Sequence, residues 1–309
     1  MRILFLDQNK WIDLAKVHSG KVNSGPEYDV YQYLTASIGN GEIIIPLTSA
    51  NIIETSKRHD LTSRSDVVHT QAEFSKGWVF RSRKSRLLVE IKNALHLAFG
   101  YDPVLLPLNW VAVPNFIRAF EEYEPSMVAM ADYLDTRFGE KQAYVDYMLN
   151  QPDQTRRKAH AILSRESDSL VERIENRRKD FKDYSMEMQR RAYSVHLFSD
   201  HQKLIVQELV NMGHTLQQME KLGADVFVKF LENIPTLNVE LKLAISREAQ
   251  TGSLKANDLG DIGNFYTSIP YADVIVAEKN FVNLARQTKL DKEYGVQLHT
   301  NLAGLLSLH

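Results

Sequence analysis

Near both ends of the chain, short runs of apolar residues alternate with segments in which apolar residues recur every three or four positions. The runs have the length of β-strands, and the spaced segments have the periodicity of α-helices. Residues 2–6 form an apolar run that predicts a strand, and apolar positions at steps of three and four predict a helix directly after it. A second buried strand is predicted at residues 42–46, before the helical stretch NIIETSKRH, with Thr48 and Ser49 as cap candidates. Strand and helix in this order indicate an α/β domain with a parallel sheet.

The same alternation returns in the last sixty residues. Apolar positions from Leu259 to Ile269 keep helical spacing, and Pro270 ends that predicted helix. Residues 272–277 form an apolar, β-branched run that predicts a buried strand starting near Asp273. A helix at 281–287 and a last strand at 295–300 are predicted to follow.

Helix-compatible segments dominate the middle of the chain. They are predicted at residues 87–99, 114–123, 126–150, 156–213 with a break near Ser199, and 216–231. We therefore predict an α/β domain built from residues 1–80 and 251–309, interrupted by an all-α insertion at residues 81–250.

Composition excludes several classes of site. The 309 residues contain no cysteine, which removes disulfides, thiolate metal ligands and cysteine nucleophiles and fits a reducing compartment. The net charge of −2 provides no global positive field for nucleic acid. Because the sequence has no apolar stretch of signal-peptide or membrane-span length, we expect no membrane partner and a cytoplasmic location.

Five acidic residues stand near predicted strand ends or early helix turns, namely Asp7, Glu54, Asp258, Asp261 and Asp273. If their strands are neighbours, we expect these carboxylates to converge at the carboxyl edge of the sheet, where α/β proteins bind ligands. Clustered carboxylates repel each other, and Mg²⁺ or Mn²⁺ with oxygen-only ligands relieves that repulsion. The predicted chemistry is metal-assisted phosphodiester hydrolysis.

Each of these residues also has a simpler interpretation. Asp258 and Asp261 suit a helix start, and Asp273 would then only accept backbone hydrogen bonds. Glu54 would be a solvated acid near a helix N-terminus. Asn9 and Asn51 could position substrate or water, or could serve as turn and cap residues.

A basic cluster follows Trp78 and Phe80. Arg81, Arg83, Lys84 and Arg86 form it, and arginines beside aromatic rings would suit a single-stranded nucleic acid. The alternative is a solvated helix face.

Three segments carry a resemblance to a known family. ILFLDQN, IIIPLTSANIIE and NDLGDIGNFYTSIPYADVIVAEKNF together resemble the PIN-domain nucleases over residues 1–60 and 250–308. That resemblance implies a three-layer α/β/α sandwich and metal-dependent cleavage of RNA, often single-stranded. By position, it makes Asp7, Glu54, Asp261 and Asp273 the acidic site, with Asp258 as a substitute or helper for Asp261.

The chain departs from the family at one step. Many members have Thr-x-Asp after the strand of Asp273, where this chain has Ala277-Glu278-Lys279. Glu278 either replaces that acid or caps the next helix.

The sequence thus predicts a Mg²⁺- or Mn²⁺-dependent endoribonuclease. Asp7, Asp261 and Asp273 would hold the principal metal, and Glu54 would bind a second ion or position the attacking water. The insertion would bind substrate, a protein partner or a regulator, and the family resemblance makes a toxin or defence role plausible. The alternatives are a catalytically degenerate PIN-like scaffold and a nuclease acting on DNA. The sequence leaves homo-oligomerisation open.

Overall fold

The protein is a mixed α/β molecule in which helices predominate. The computed structural model describes residues 1–107, 109–120, 129, 133, 140–154, 156–157, 171–172, 174–176, 178–181, 184–248 and 263–308. The strands are β1 (Arg2–Leu6), β2 (Ile43–Ile44), β3 (Val79–Phe80), β4 (Ala112–Val113), β5 (Val274–Val276) and β6 (Gln297–His299). The α-helices up to residue 150 are α1 (Gln8–His18), α2 (Pro26–Gly39), α3 (Ser49–Ser56), α4 (Leu61–Ser75), α5 (Arg83–Ala98) and α6 (Glu140–Asn150). Those after it are α7 (Met186–Asn211), α8 (Leu216–Glu220), α9 (Ala224–Glu232), α10 (Pro235–Glu248), α11 (Lys279–Gln287) and α12 (Leu290–Tyr294), and 3₁₀ turns span Phe116–Phe120 and Leu302–Ser307.

A parallel four-stranded sheet with the order β2-β1-β5-β6 positions the N-terminal and C-terminal segments side by side. The first strand is central, because β1 pairs with β2 through Arg2 and Ile43 and with β5 through Leu6 and Val276. The predicted α/β class and its parallel strands are therefore confirmed. The observed strands are shorter than predicted at 42–46, 272–277 and 295–300.

Both faces of the sheet are buried along β5 and the second half of β1, which explains why these stretches are continuously apolar. Leu4 and Val276 face a core formed with α1, α2, α4 and α6, in which Trp11 is fully buried. Phe5 and Ile275 face the opposite core, formed with residues 263–269, α10 and α11. The alternation of successive side chains between two helical layers fixes the register of β1.

A third core joins α5, α7, α8, α9 and α10 into a helical cluster. The predicted break near Ser199 is wrong, because α7 runs continuously over 26 residues. The helix predicted at 216–231 is instead two helices, separated near Gly223, whose φ of 93° suits glycine and ends helical geometry. Over its described residues, the helix predicted at 114–123 is instead a 3₁₀ turn at Phe116–Phe120, which follows β4.

The hydrophobic packing shows no division at residue 81, where the helical insertion is predicted to begin. The core that contains β1 residues also contains three residues of the predicted insertion, namely Phe116, Ile117 and Tyr144 of α6. In addition, β3 pairs antiparallel with β4, which links residues 79–80 to 112–113. The boundaries of the all-α insertion stay a prediction, but these segments of it pack with the sheet. No helix within the described ranges is both long enough and apolar enough to cross a membrane.

Candidate active site

Asp7 closes the central strand and begins the first helix. Its backbone N–H donates to the carbonyl of Val276 at 3.0 Å, which extends the β1–β5 ladder by one residue. Its carboxylate accepts a hydrogen bond from the N–H of Gln8 at 2.8 Å and caps α1. The side chain is buried, with 6% of its surface exposed. Asp7 therefore lies at the carboxyl edge of the sheet, as predicted, and doubles as an N-cap.

Glu278 reaches the same edge from the neighbouring strand. Leu6 is in register with Val276, so Glu278 follows β5 just beyond the level at which Asp7 follows β1. It occupies the N-cap position of α11, but its side chain makes no capping hydrogen bond. Its carboxylate instead accepts a hydrogen bond from Nδ2 of Asn9. Of the two interpretations of Glu278, this geometry favours the one in which it takes the position of an acidic-site residue.

Glu54 completes a set of three acids around the end of β1. It lies on α3 and is half-buried. Burial, followed by repulsion from Asp7 and Glu278, raises the pKa of Glu54 to about 7. The pKa of Asp7 is also raised, first by burial and then by Glu278, although hydrogen bonds from the amides of Gln8 and Glu278 oppose the rise. These carboxylates are therefore close enough to influence each other's ionisation.

The two asparagines predicted to position substrate have different roles. Asn9 is exposed and holds Glu278, so it orients an acid of the cluster. Asn51 has no exposed surface, and its side chain accepts from the N–H of Thr48 in a reciprocal capping box. Substrate positioning by Asn51 is therefore wrong, and the cap interpretation is confirmed.

Asp273 is not part of this cluster. It precedes β5, and in a parallel sheet this places it at the amino edge, opposite to Asp7. Its Oδ2 accepts a hydrogen bond from the N–H of Ile3 at 2.7 Å, and its own N–H donates to the Ile3 carbonyl. The predicted convergence with Asp7 is wrong for Asp273. A residue that starts one strand cannot share an edge with a residue that ends its parallel neighbour.

Asp258 and Asp261 lie outside the described residues, so their place relative to Asp7 stays a prediction. Within the described part of the chain, no group of three or more histidine, aspartate or glutamate side chains is arranged to hold a metal ion. The side chains of Asp7, Glu54 and Glu278 offer carboxylate oxygens, the donor type that hard cations prefer, although they are not arranged as a metal-binding group in this structure.

A chain of buried hydrogen bonds lies next to the acid cluster. Nε2 of Gln8 donates to the hydroxyl of Thr55 at 2.9 Å, and that hydroxyl donates to Oε1 of Gln71 at 3.1 Å. Tyr144 also donates to Oε1 of Gln71, at 2.7 Å. Because Gln8 follows Asp7 and Thr55 follows Glu54, this chain connects the two helices that carry these acids and ties them to α4 and α6.

The basic cluster does not form the single exposed surface that the sequence predicts. Arg86 is 1% exposed and donates to the Arg81 carbonyl and to the hydroxyls of Thr236 and Thr267. Arg83 is half-buried and pairs with Glu240. Lys84 is exposed and Arg81 is half-buried. A nucleic-acid surface made by all four residues is wrong, because helix packing buries Arg86.

Comparison with known proteins identifies no relative: no family model, no curated protein and no solved structure matches this chain. Its function must therefore be inferred from the site itself.

Proposed function

We propose that this protein is a metal-dependent endoribonuclease with a PIN-like α/β/α sandwich, in which Asp7, Glu54 and Glu278 form the acidic site. One observation carries the proposal. Three acids from β1, α3 and the end of β5 come together at the carboxyl edge of a parallel sheet, where two of them have raised pKa values. Raised pKa values that come first from burial and then from neighbouring carboxylates are typical of functional sites.

Each residue has a distinct role in this proposal. Asp7, Glu54 and Glu278 would hold Mg²⁺ or Mn²⁺, which would supply Lewis-acid stabilisation and an activated water when bound. Asn9 would hold the Glu278 carboxylate in one orientation. In the other role open to it, Glu54 would position the attacking water and accept its proton instead of binding the metal. Asp261, with Asp258 as its substitute, stays a predicted further ligand.

A catalytically degenerate scaffold is the second candidate. The observation that favours it is the absence, among the described residues, of three acids arranged to hold a metal. On this alternative the acids would serve folding alone, and the helical cluster would bind a protein partner. A ligand bound by the folded state alone must raise its stability, so metal-induced stabilisation separates the two candidates.

The test is cleavage of labelled single-stranded RNA, structured RNA and single-stranded DNA in Mn²⁺, Mg²⁺ or EDTA. We expect metal-dependent cutting of single-stranded RNA by the wild type and none by Asp7→Asn, which keeps an N-cap side chain. Equal cutting by the mutant would overturn the site assignment, and preference for the DNA would change the substrate class. Absence of both cutting and metal-induced stabilisation would favour the scaffold.

A further inference from the structure

A cavity of about 420 Å³ lies between the N-terminus of α3, residues 80–83 with Arg86, and residues 263–267. Its volume is within the range of about 300–1,000 Å³ that is usual for small-molecule sites. Arg81, Arg83 and Arg86 contribute to its wall, and no acidic side chain does so within the described part of the chain. Glu54, Asp7 and Glu278 are not among its lining residues.

The N-terminus of α3 presents hydrogen-bond donors to this cavity. The N–H groups of the first helical turn have no partner within the helix. The hydroxyl of Thr48 accepts a hydrogen bond from the backbone N–H of Asn51. The carbonyl of Thr48 accepts one from the backbone N–H of Ile52. The amides of Ser49 and Ala50, two residues that line the cavity, have no such capping partner in the described structure. The helix dipole adds positive potential at the same place.

Asn264 supplies an independent indication of a ligand. It lines the cavity and is 1% exposed, and its Oδ1 accepts a hydrogen bond from the Thr48 hydroxyl at 2.6 Å. That bond leaves its Nδ2 as the donor, and no described atom accepts from it. A buried donor without an acceptor destabilises the folded state, so a bound acceptor in the cavity would stabilise this arrangement.

The arginines fix the sign of the expected charge. Arg86 is held by three hydrogen bonds, and the Arg83 guanidinium lies 5.1 Å from the centre of the Tyr266 ring. Glu240 offsets the charge of Arg83, but Glu240 does not line the cavity. Guanidinium groups held in this way are pre-organised for phosphate oxygens.

We propose that this cavity binds a phosphate group carried by a nucleotide or by a nucleic acid strand. The amides of Ser49 and Ala50, Nδ2 of Asn264 and the side chains of Arg81 and Arg83 would contact the phosphate, and the remaining volume would hold the attached sugar or base. Arg86, whose guanidinium already donates to three protein oxygens, would add positive potential without touching the phosphate. Because the acidic site uses different side chains, either site can be present without the other.

The test compares Ser49→Glu with Ser49→Gln, which differ in charge and little in shape. Binding of inorganic phosphate, adenosine monophosphate and a short single-stranded RNA is measured by calorimetry in EDTA, so that no metal-dependent cleavage occurs. We expect wild type and Ser49→Gln to bind alike, and Ser49→Glu to bind about tenfold or more weakly. An acid in the first turn favours the helix, so Ser49→Glu should remain folded, as a thermal melt will check.

Two further variants distinguish this site from the acidic one. Arg81→Gln should weaken binding of all three probes, whereas Asp7→Asn should leave binding unchanged even where it abolishes cleavage. Equal affinity for the mononucleotide and the RNA would identify a free nucleotide as the ligand, and an affinity that rises with strand length would identify a nucleic acid backbone. Wild-type protein that binds none of the three probes would overturn the proposal, as would equal losses in Ser49→Glu and Ser49→Gln.

Discussion

The side-chain amide of Asn9 donates a hydrogen bond to Oε1 of Glu278, so the first turn of α1 holds the acid that precedes α11. These residues are 269 positions apart in the chain. The contact is possible because β1 and β5 are neighbouring parallel strands that end at the same level. It makes Glu278, rather than Asp273, the partner that β5 contributes to Asp7.

Exchanging the two acids that flank β5 for amides tests this assignment. On the proposed function, Glu278→Gln should lower the cleavage rate by on the order of 10²-fold or more, since the charge stabilisation that the metal would supply is worth several kcal/mol. Asp273→Asn should retain activity, because Asp273 lies at the opposite edge of the sheet. The measurement is the single-turnover cleavage rate of single-stranded RNA at saturating Mn²⁺. The reverse pattern, with Asp273→Asn inactive and Glu278→Gln active, would restore the acid set predicted from the sequence.

The raised pKa of Glu54 predicts a particular dependence of stability on pH. Its pKa is about 7 in the folded protein against a reference of 4.5, so the folded state binds the proton more tightly than the unfolded state. This contribution to stability is present below pH 4.5 and is lost as the pH rises to about 7. Above that pH, Glu54→Gln should raise the free energy of unfolding by on the order of 1–3 kcal/mol.

Urea denaturation at several pH values, in EDTA, measures this effect. Glu220→Gln, a change at an exposed helical position, serves as the control and should leave the pH profile unchanged. Mg²⁺ or Mn²⁺ should reduce the wild type's loss of stability at high pH, because a cation compensates the ionised carboxylates. A wild-type profile that is flat from pH 4.5 to 7, or equally steep in Glu54→Gln, would contradict the coupling of these acids.

The buried hydrogen-bond chain beneath the acids predicts a stability defect that is independent of metal. Thr55→Val keeps the side chain's shape but leaves Nε2 of Gln8 without its acceptor and removes one donor to Gln71. We expect a loss of about 1–3 kcal/mol in the free energy of unfolding. Thr35→Val, at an exposed position of α2, should change it by less than about 0.5 kcal/mol. Similar values for the two variants in urea titrations would show that the chain does not support the site.

Arg86 is predicted to act in folding rather than as an exposed RNA-binding residue. Arg86→Lys cannot reproduce the three hydrogen bonds of the guanidinium, so we expect it to lose about 1.5–3 kcal/mol of stability. The exposed Lys84→Ala should have an effect within about 0.5 kcal/mol. An Arg86→Lys variant as stable as wild type would contradict this role.

Local patterns were enough to predict the strands that build the sheet. Continuous apolar runs located β1, β2 and β5, the stretch at 295–300 located β6, and the polar residues after β1 predicted the start of α1. The position of Asp7 follows from the same pattern, because the residue after a parallel strand lies at the carboxyl edge.

Other parts of the site depend on information that local patterns do not contain. Whether Arg86 is buried depends on residues about 150 and 181 positions away, Thr236 and Thr267. Asp273 was predictable in principle, because a residue at the start of a strand must lie at the amino edge. Glu278 could have been chosen by counting from Asp7 across the β1–β5 register, but that register is visible only after folding.

The position of β1 between β2 and β5 has a consequence for the nascent chain. β1 cannot complete its pairing until residues 274–276 have been made. Pairing over so long a separation is slow, and the half-covered strand is exposed to aggregation while it waits. The acid cluster would therefore assemble late. An incomplete polypeptide, still attached to the ribosome and to its own messenger RNA, would not carry the complete cluster.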